Sequence, residues 1–255
     1  MKTSPSLRFC FRNRLALVVL CLGFVGVVGV AAAADPTAER LLFDGRTLQG
    51  WRKPTGDWMV AGGVAIDPAD PRKLAITPGV GVLVNGASGK TVDLFTVFEH
   101  GDIEAHIEFC IPKDSNSGIY FMGRYEVQVY DSFGVAKDKY PGIECGGLYP
   151  RWTAERGEFE GHSPRVNASR PPGQWQTFEV VFRAPRFDSA GRKTENARFV
   201  KVVHNGVLVH ENVEITGPTR AAWFDDEKPQ GPLQFQGDHG PVAYRNLRVK
   251  AVELK

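Results

Sequence analysis

The sequence predicts an all-β fold, a sandwich or jelly roll of antiparallel sheets. The main signal is an alternation of apolar and polar residues, clearest at residues 102–111, where Ile103, Ala105 and Ile107 share one parity. Such alternation is typical of a strand with one buried face. Clusters of Gly, Pro, Asn and Asp separate the apolar runs, and no long stretch repeats apolar residues at helical spacing. Short strands and turn signals of this kind indicate a sandwich or jelly roll.

Similar apolar runs along the chain predict the remaining strands. They lie at residues 82–84, 118–122, 125–130, 177–183, 197–204, 207–210, 232–236 and 243–249. One connection is defined closely, because Asn205-Gly206 joins two of these strands. This dipeptide supplies the positive φ angles that a type I′ hairpin turn requires.

The longest irregular segment, residues 132–173, is rich in Gly, Pro and charged residues. It carries Tyr140, Tyr149, Trp152 and His162, and this aromatic content argues against disorder. Long loops in compact domains are commonly functional. We therefore expect the segment to form a wall or lid of a binding site, with a surface insertion of no role as the alternative.

The N-terminus predicts export. Four basic residues precede an uninterrupted apolar run, residues 15–30, which is followed by Ala31 to Ala34. This order of charge, apolar core and small residues is typical of a secretion signal. We expect residues 1–34 to be a signal peptide and residues 35–255 to be a single domain, located in the periplasm or outside the cell. An uncleaved anchor is the alternative, because the uncharged run is long enough to span a bilayer.

Removal of the signal changes the charge balance and the cysteine count. The remainder carries 27 basic against 29 acidic residues, a net charge of −2, with no block of Lys or Arg. Such a balance gives no reason to expect a nucleic acid or an anionic membrane as partner. Two cysteines remain, Cys110 and Cys145, and an oxidising compartment permits a disulfide between them. Two separate buried thiols are the alternative.

The strand at residues 125–130 carries a row of polar side chains. Its apolar residues share one parity and predict a core face, so Glu126, Gln128 and Tyr130 take the opposite face. The carboxylate and the amide can hydrogen-bond sugar hydroxyls, while the phenol ring can stack on the apolar face of a sugar. An ordinary polar face in contact with solvent is the alternative.

A second polar row lies near the C-terminus. The apolar residues of the strand at 232–236 predict a core face, so Gln234 and Gln236 take the other face. The strand leads into Asp238-His239, which lies between two glycines. An imidazole in such a turn is suited to proton transfer near neutral pH, although a lone Asp-His pair is also typical of a surface turn.

Motifs of other reaction classes are absent from the sequence. It contains no Gly-x-Ser-x-Gly elbow, no His-Glu-x-x-His, no phosphate loop and no Cys-x-x-Cys. Ordinary glycosidases use two carboxylates that flank the bond. Glu126 has no carboxylate two residues away on its strand, so Glu108 or Asp131 would have to approach it in space. No spacing demands a metal, and a divalent metal held by His and carboxylates remains open.

A series of short motifs runs through residues 40–254. It opens with Leu42-Phe43-Asp44-Gly45 and Leu48-Gln49-Gly50-Trp51. Further motifs follow in order at residues 98–104, 116–120, 125–129, 146–150, 170–175, 205–209, 231–233, 239–240 and 245–247. In content and order this series resembles the bacterial 3-keto-disaccharide hydrolase family of the concanavalin A-like lectin and glucanase superfamily.

The resemblance implies a concanavalin-like jelly-roll sandwich of two antiparallel sheets in an exported protein. It also implies cleavage of glycosides already oxidised at C3 of the sugar, either by hydrolysis or by elimination followed by hydration. A 3-ketone acidifies the hydrogen at C2, so a base can remove it and the resulting enediolate expels the C1 substituent. Such a site needs a base, donors for the enediolate oxygen and a general acid.

From these motifs we expect Glu126 and His239 to be the catalytic residues, with either of them as the base. The expected substrate-binding residues are Asn116, Arg124, Gln128, Tyr130, Tyr149, Gln234 and Gln236. In this chain Gln236-Gly237-Asp238 precedes His239, a longer spacing than the family pattern has. Because one fold hosts many functions, a non-catalytic carbohydrate-binding domain and a structural domain of the cell envelope are the alternatives.

Overall fold

A computed structural model of the protein describes Met1, residues 38–136, Lys139 and residues 143–255. All of its strands belong to the compact unit Asp35–Lys255. Apart from Met1, the predicted signal at residues 1–34 lies outside the described residues, as does Tyr140 of the long irregular segment. None of the described residues belongs to a helix that is long and apolar enough to cross a membrane.

The described residues fold into a jelly-roll sandwich of two antiparallel sheets, as predicted. In chain order the strands are β1 Arg40–Leu41, β2 Met59–Ile66, β3 Leu74–Val84, β4 Leu94–His100, β5 Ile103–Cys110, β6 Asn116–Phe121, β7 Tyr125–Tyr130, β8 Arg151–Thr153, β9 Gly157–Phe159, β10 Gln176–Arg183, β11 Arg186–Phe187, β12 Lys193–Glu195, β13 Ala197–His204, β14 Val207–Ile215, β15 Gly231–Phe235 and β16 Ala243–Ala251.

The two sheets differ in size. The larger sheet has the order β14-β13-β10-β5-β16-β3-β2, and β1 pairs with β16. The smaller sheet has the order β4-β15-β6-β7. Two short ribbons, β8 with β9 and β11 with β12, complete the strands of the described residues. The β6–β7 hairpin and β15 are neighbours in the smaller sheet, and these three strands carry the candidate site.

Aromatic side chains join the two sheets in the core. Phe121 lies on β6 of the smaller sheet, whereas Phe182 and Phe199 lie on β10 and β13 of the larger sheet, and all three are buried. The ring centroid of Phe121 is 5.3 Å from that of Phe182 and 5.4 Å from that of Phe199. Aromatic pairs at such distances stabilise a core. This packing buries one face of the smaller sheet, and polar residues occupy the other face.

Most of the predicted strands are present, and residues 125–130 and 197–204 match β7 and β13 to the residue. The alternation pattern does not predict β1, β2, β4 or the short ribbons. In β2, Gly62-Gly63 interrupts the alternation at an irregularity in the pairing with β3. A Cβ on Gly62 would stand 2.7 Å from the carbonyl oxygen of Pro78. The close approach of the two strands therefore requires a glycine that obscures the strand pattern.

The Asn205-Gly206 hairpin has the predicted geometry. Asn205 has a φ of 51° and Gly206 a φ of 83°, and His204 pairs with Val207 across the turn. Positive φ at both central residues is the property that defines a type I′ turn. The turn therefore connects β13 directly to β14.

The two cysteines of the described domain are separate free thiols. Cys110 and Cys145 are both buried, and they pack into different apolar clusters of the core. Burial raises the pKa of each thiol to about 12. Neither cysteine therefore forms the disulfide that the sequence left open.

Candidate active site

Six of the nine predicted site residues line one pocket on the polar face of the smaller sheet. The pocket has a volume of about 270 Å³. Its walls are formed by Asn116, Tyr120, Glu126, Gln128, Tyr149, Arg220, Ala221, Gln236 and His239. The sequence therefore predicted much of its lining without any knowledge of how the strands pair.

Strand register explains why these side chains converge. Tyr120 of β6 stands opposite Glu126 of β7, and Gly118 stands opposite Gln128. On the other side of β6, Gln236 donates its backbone N–H to the carbonyl oxygen of Gly118 at 2.9 Å. Since alternate residues share a face, these positions form one polar surface across three strands.

Glu126 is the most strongly perturbed acid of the pocket. Its side chain is buried, with the residue only 2% exposed, and its carboxylate forms a hydrogen bond with the Tyr120 hydroxyl. Burial raises the pKa of Glu126 to about 8, the charge of Asp93 raises it further, and the Tyr120 bond opposes this rise. Glu126 is therefore mostly protonated at neutral pH.

The amide of Gln128 holds the Glu126 carboxyl from one side. In one amide orientation Nε2 faces Asn116 Oδ1 at 3.3 Å. In the other, Nε2 donates to the carbonyl oxygen of Ser117 at 2.9 Å and to Glu126 Oε1 at 3.0 Å. We adopt the second orientation, because it gives suitable partners to both the nitrogen and the oxygen of the amide.

Tyr149 comes from the long irregular segment and forms part of the pocket wall. Its backbone N–H donates to the carbonyl oxygen of Glu126 at 3.2 Å, and the preceding residue, Leu148, forms a bridge with Val127 of β7. The segment thus runs beside β7 and holds the phenol next to Glu126. Burial raises the pKa of Tyr149, so its hydroxyl keeps its proton and can donate it in a hydrogen bond.

His239 enters the pocket from the turn after β15. Its Nδ1 is in hydrogen-bond contact with Asp238 Oδ1, and both side chains are about half exposed. The glycine that follows is required by packing, since a Cβ on Gly240 would stand 2.6 Å from Ser115 Oγ and 2.9 Å from the backbone nitrogen of Asn116. This close packing seats the Asp238-His239 turn against the start of β6.

Three predicted site residues do not line the pocket. Arg124 is buried and donates to Asp226 Oδ1 at 2.5 Å and to the carbonyl oxygen of Met122 at 2.7 Å. Tyr130 is half-buried and packs against the apolar core. Gln234 is fully buried, and its Nε2 donates to Asp93 Oδ2 at 2.6 Å.

Arg124, Tyr130 and Gln234 were predicted to contact the substrate, but none of them lines this pocket. Their contact with a substrate stays a prediction. Tyr130 and Gln234 were expected on polar strand faces and Arg124 as a polar contact beside them, but Arg124 is bonded to Asp226, Gln234 to Asp93, and Tyr130 packs against the core. The nearby carboxylates considered from the sequence, Glu108 and Asp131, are not part of the pocket lining either.

Sequence reasoning missed Tyr120, Arg220 and Ala221. Tyr120 could have been found by folding residues 116–130 into a hairpin, which places it opposite Glu126. Arg220 and Ala221 follow β14 in an irregular loop that has no periodic signal. Ala221 has a φ of 62°, an uncommon backbone conformation for a residue other than glycine.

A larger cavity of about 460 Å³ lies on the larger sheet around His106, Glu179 and Lys201. There His106 Nδ1 lies 2.5 Å from Glu179 Oε1, and more than half of the Glu179 side chain is exposed. Functional sites are typically marked by buried ionisable groups with shifted pKa values. Because such groups lie around Glu126, we regard the smaller pocket as the candidate active site.

Metal ligation has no support from the geometry of the described residues. Among them, no group of three or more His, Cys, Asp or Glu side chains is arranged so that it could hold a metal ion. The polar groups of the pocket are mostly amides and phenols, which suit neutral hydroxyl groups as ligands.

Comparisons with known proteins agree with this architecture. A family model described as the 3-keto-alpha-glucoside-1,2-lyase-like domain matches residues 38–250. A presumed glycosyl hydrolase of Parabacteroides distasonis is 26% identical with a TM-score of 0.60, and the match covers 84% of each chain. A second from this organism is 17% identical with a TM-score of 0.55, covering 85% of this chain and 95% of the other. No curated protein gives a significant match to the chain.

Proposed function

The chain belongs to the family of 3-keto-alpha-glucoside-1,2-lyase-like domains, and from this premise we propose that it cleaves the glycosidic bond of 3-keto-glycosides at the Glu126 pocket. The family match and the likeness to a presumed glycosyl hydrolase of P. distasonis support a carbohydrate-active enzyme. The polar face of the smaller sheet supplies the binding groups that a sugar requires.

The observation that carries the proposal is that Glu126 and His239 line the same pocket. A carboxyl group with a pKa of about 8 holds a proton at neutral pH and is able to act as a general acid. His239 Nδ1 faces Asp238, an arrangement in which Nδ1–H donates and Nε2 is left as the proton acceptor. An acid and a base of different types suit the removal of a proton from carbon, and an ordinary glycosidase pair of carboxylates is not needed.

The reaction begins at C2 of the oxidised sugar, whose hydrogen is acidic because of the ketone at C3. His239 Nε2 takes this proton, and the C2–H electron pair forms the enediolate. The enediolate then expels the oxygen at C1, which takes the proton of Glu126 as the C1–O bond breaks. The products are a free sugar or alcohol and an unsaturated 3-keto sugar.

Hydration completes the cleavage. The oxygen of a water molecule adds to C1, where it keeps one of its protons as the new hydroxyl, and the other proton passes to the Glu126 carboxylate. C2 receives a proton from the His239 imidazolium, whose side chain is about half exposed and exchanges its N–H with solvent. Both residues thus regain their starting protonation states, and the net reaction is hydrolysis.

The remaining groups of the pocket hold the sugar and the developing charge. Arg220 forms an ion pair with Glu158 and contributes a guanidinium to the pocket lining, so we assign it to the enediolate oxygen. The amides of Asn116, Gln128 and Gln236 then bind sugar hydroxyls. Tyr120 supports the carboxyl of Glu126.

The test is cleavage of 3-keto-trehalose by the purified protein in D₂O, with unoxidised trehalose as the control. We expect 3-keto-glucose that carries deuterium at C2, together with a transient ultraviolet signal of the enone. His239→Ala should lose both exchange at C2 and cleavage. Glu126→Gln should retain exchange into the substrate and lose cleavage, because the acid acts only after the base.

Cleavage that persisted in both variants would exclude this assignment of the acid and the base. Cleavage without deuterium at C2 would indicate direct hydrolysis rather than elimination. Saturable binding of the keto-sugar by the wild-type protein, without any turnover, would favour a carbohydrate-binding domain instead of an enzyme.

A further inference from the structure

A second cavity, of about 430 Å³, adjoins the Asp238-His239 turn. Its lining includes Asp238 itself, whereas His239 lines the Glu126 pocket. Adjacent residues thus belong to the linings of the two cavities, and their side chains are joined by a hydrogen bond.

Asp93 provides a second link between the two cavities. It lines the second cavity and accepts hydrogen bonds from Gly237 N at 2.9 Å and from Gln234 Nε2 at 2.6 Å. Its charge is also close enough to raise the pKa of Glu126. Asp93 and the Asp238-His239 pair therefore relate the second cavity to the candidate active site.

An exposed tryptophan lines this cavity. Trp223 is 64% exposed, although its ring is oriented by Phe95, with ring centroids 5.1 Å apart in an edge-to-face arrangement. Aromatic rings that are fixed in orientation but left exposed can stack on the apolar face of a sugar ring. Nothing in the core requires a tryptophan at this position, since most of its surface faces solvent.

The cavity also offers donors to sugar hydroxyls. Arg52 lines it and is held in place by Glu99 Oε1 at 2.6 Å and by the carbonyl oxygen of Thr96 at 2.9 Å. Lys53 lies beside it in the lining. An aromatic platform with a few polar groups at its edge is the usual composition of a small-molecule site.

We propose that this cavity binds the leaving sugar of a 3-keto-disaccharide. The oxidised ring lies against Glu126 and His239, while the ring attached through its C1 oxygen stacks on Trp223. The inference rests on the function proposed above and specifies where the second ring is recognised: on Trp223, in the cavity that Asp93 and Asp238 also line.

The experiment compares two substrates, 3-keto-trehalose and methyl 3-keto-α-glucoside, which lacks the second ring. In Trp223→Ala we expect kcat/KM for the disaccharide to fall by about tenfold, as the loss of one aromatic contact predicts, and that for the methyl glycoside to change by less than about twofold. Trp223→Phe should retain part of the preference for the disaccharide. Phe133→Ala is the matched control, because Phe133 is also an exposed aromatic residue, at 52%, but lines neither cavity.

A ratio of the two kcat/KM values that is the same in wild type and Trp223→Ala would overturn the inference and leave the proposed function intact. If the wild-type protein cleaves neither substrate, the proposed function fails, and calorimetric binding of the disaccharide decides the inference separately. Equal affinity in the wild type and Trp223→Ala would overturn it. Weaker binding in Trp223→Ala, with no change in Phe133→Ala, would support it.

Discussion

The carboxyl of Glu126 occupies the space above Gly118, where any other residue would place its Cβ. An ideal Cβ on Gly118 would stand 2.0 Å from Glu126 Oε1 and 2.8 Å from its carboxyl carbon. Gly118 belongs to β6 and faces Gln128 of β7, the residue that also holds the carboxyl. The position of the proposed acid therefore depends on the absence of a side chain on the neighbouring strand.

Gly118→Ala should displace Glu126 and reduce activity on a 3-keto-disaccharide by about a hundredfold, the effect expected when a catalytic group moves by about 1 Å. We expect the overpacking to destabilise the domain by about 1–3 kcal/mol, which thermal unfolding would measure. Gly63→Ala is the control, since a Cβ on Gly63 meets nothing within 4 Å. Full activity of Gly118→Ala would contradict this account of the pocket.

Burial of Glu126 should also make stability depend on pH. Its pKa is about 8 in the folded protein, above the ordinary value of 4.5, so the folded state retains a proton that the unfolded state loses. The contribution to the free energy of unfolding is therefore fully present below about pH 4.5 and is lost as the pH rises towards 8. Glu126→Gln removes this dependence, because the amide does not titrate.

We expect the melting temperature of Glu126→Gln to exceed that of the wild type by a margin that grows between pH 5 and pH 8, although the variant should lose cleavage. Scanning calorimetry of the two proteins across this range measures the difference. A margin that stays constant with pH would show that Glu126 does not titrate with a raised pKa in the folded protein.

Asp93 should tune the acid. Its negative charge raises the pKa of Glu126, so Asp93→Asn should lower that pKa and move the alkaline limb of the pH–rate profile to lower pH. The substitution can be accommodated, because the oxygen of the new amide would still accept from Gly237 N, and Gln234 could turn its own amide. Gln234 Oε1 has no hydrogen-bond partner among the described residues, so rotation of the Gln234 amide breaks no bond to Oε1. After the rotation, Oε1 can accept from the NH₂ group of the new amide at position 93.

The profile of kcat/KM reports the ionisations of the free enzyme, and methyl 3-keto-α-glucoside is the suitable substrate because it lacks the second ring that we propose to bind in the cavity that Asp93 lines. An alkaline limb that stays in place or moves upwards in Asp93→Asn would rule out this electrostatic coupling.

The sequence predicts the faces of strands better than it predicts which strands meet. Alternation in residues 125–130 places Glu126 and Gln128 on the polar face, because parity depends only on neighbouring residues. The same rule places Gln234 on that face, opposite Tyr120, but does not reveal the partner of its side chain. Its amide is taken by Asp93, near the start of β4, and the pairing of β4 with β15 joins segments more than a hundred residues apart.

Arg124 illustrates a different limit. It lies in the turn before β7, where parity does not apply, and its guanidinium packs over the ring of Phe224 at 4.6 Å while it bonds to Asp226. Its backbone carbonyl oxygen accepts from Thr219 N at 2.8 Å. It thus anchors the loop that brings Arg220 to the pocket, a contact that no local pattern in the sequence could have revealed.

Export is the remaining expectation, and it is open to a direct test on the full chain. Residues 15–30 are apolar and residues 31–34 are all alanine, which suits cleavage after a small residue. When the full chain is expressed in a bacterium, we expect it to be recovered from the periplasm or the medium with an N-terminus at Ala34 or Asp35, as measured by intact mass. A chain that keeps residues 1–34 and fractionates with the membrane would instead support an uncleaved anchor, because the same apolar run is long enough to span a bilayer. In either case the net charge distinguishes the two forms: the cleaved chain loses four basic residues and no acidic residue, so it should migrate as the more acidic species on isoelectric focusing.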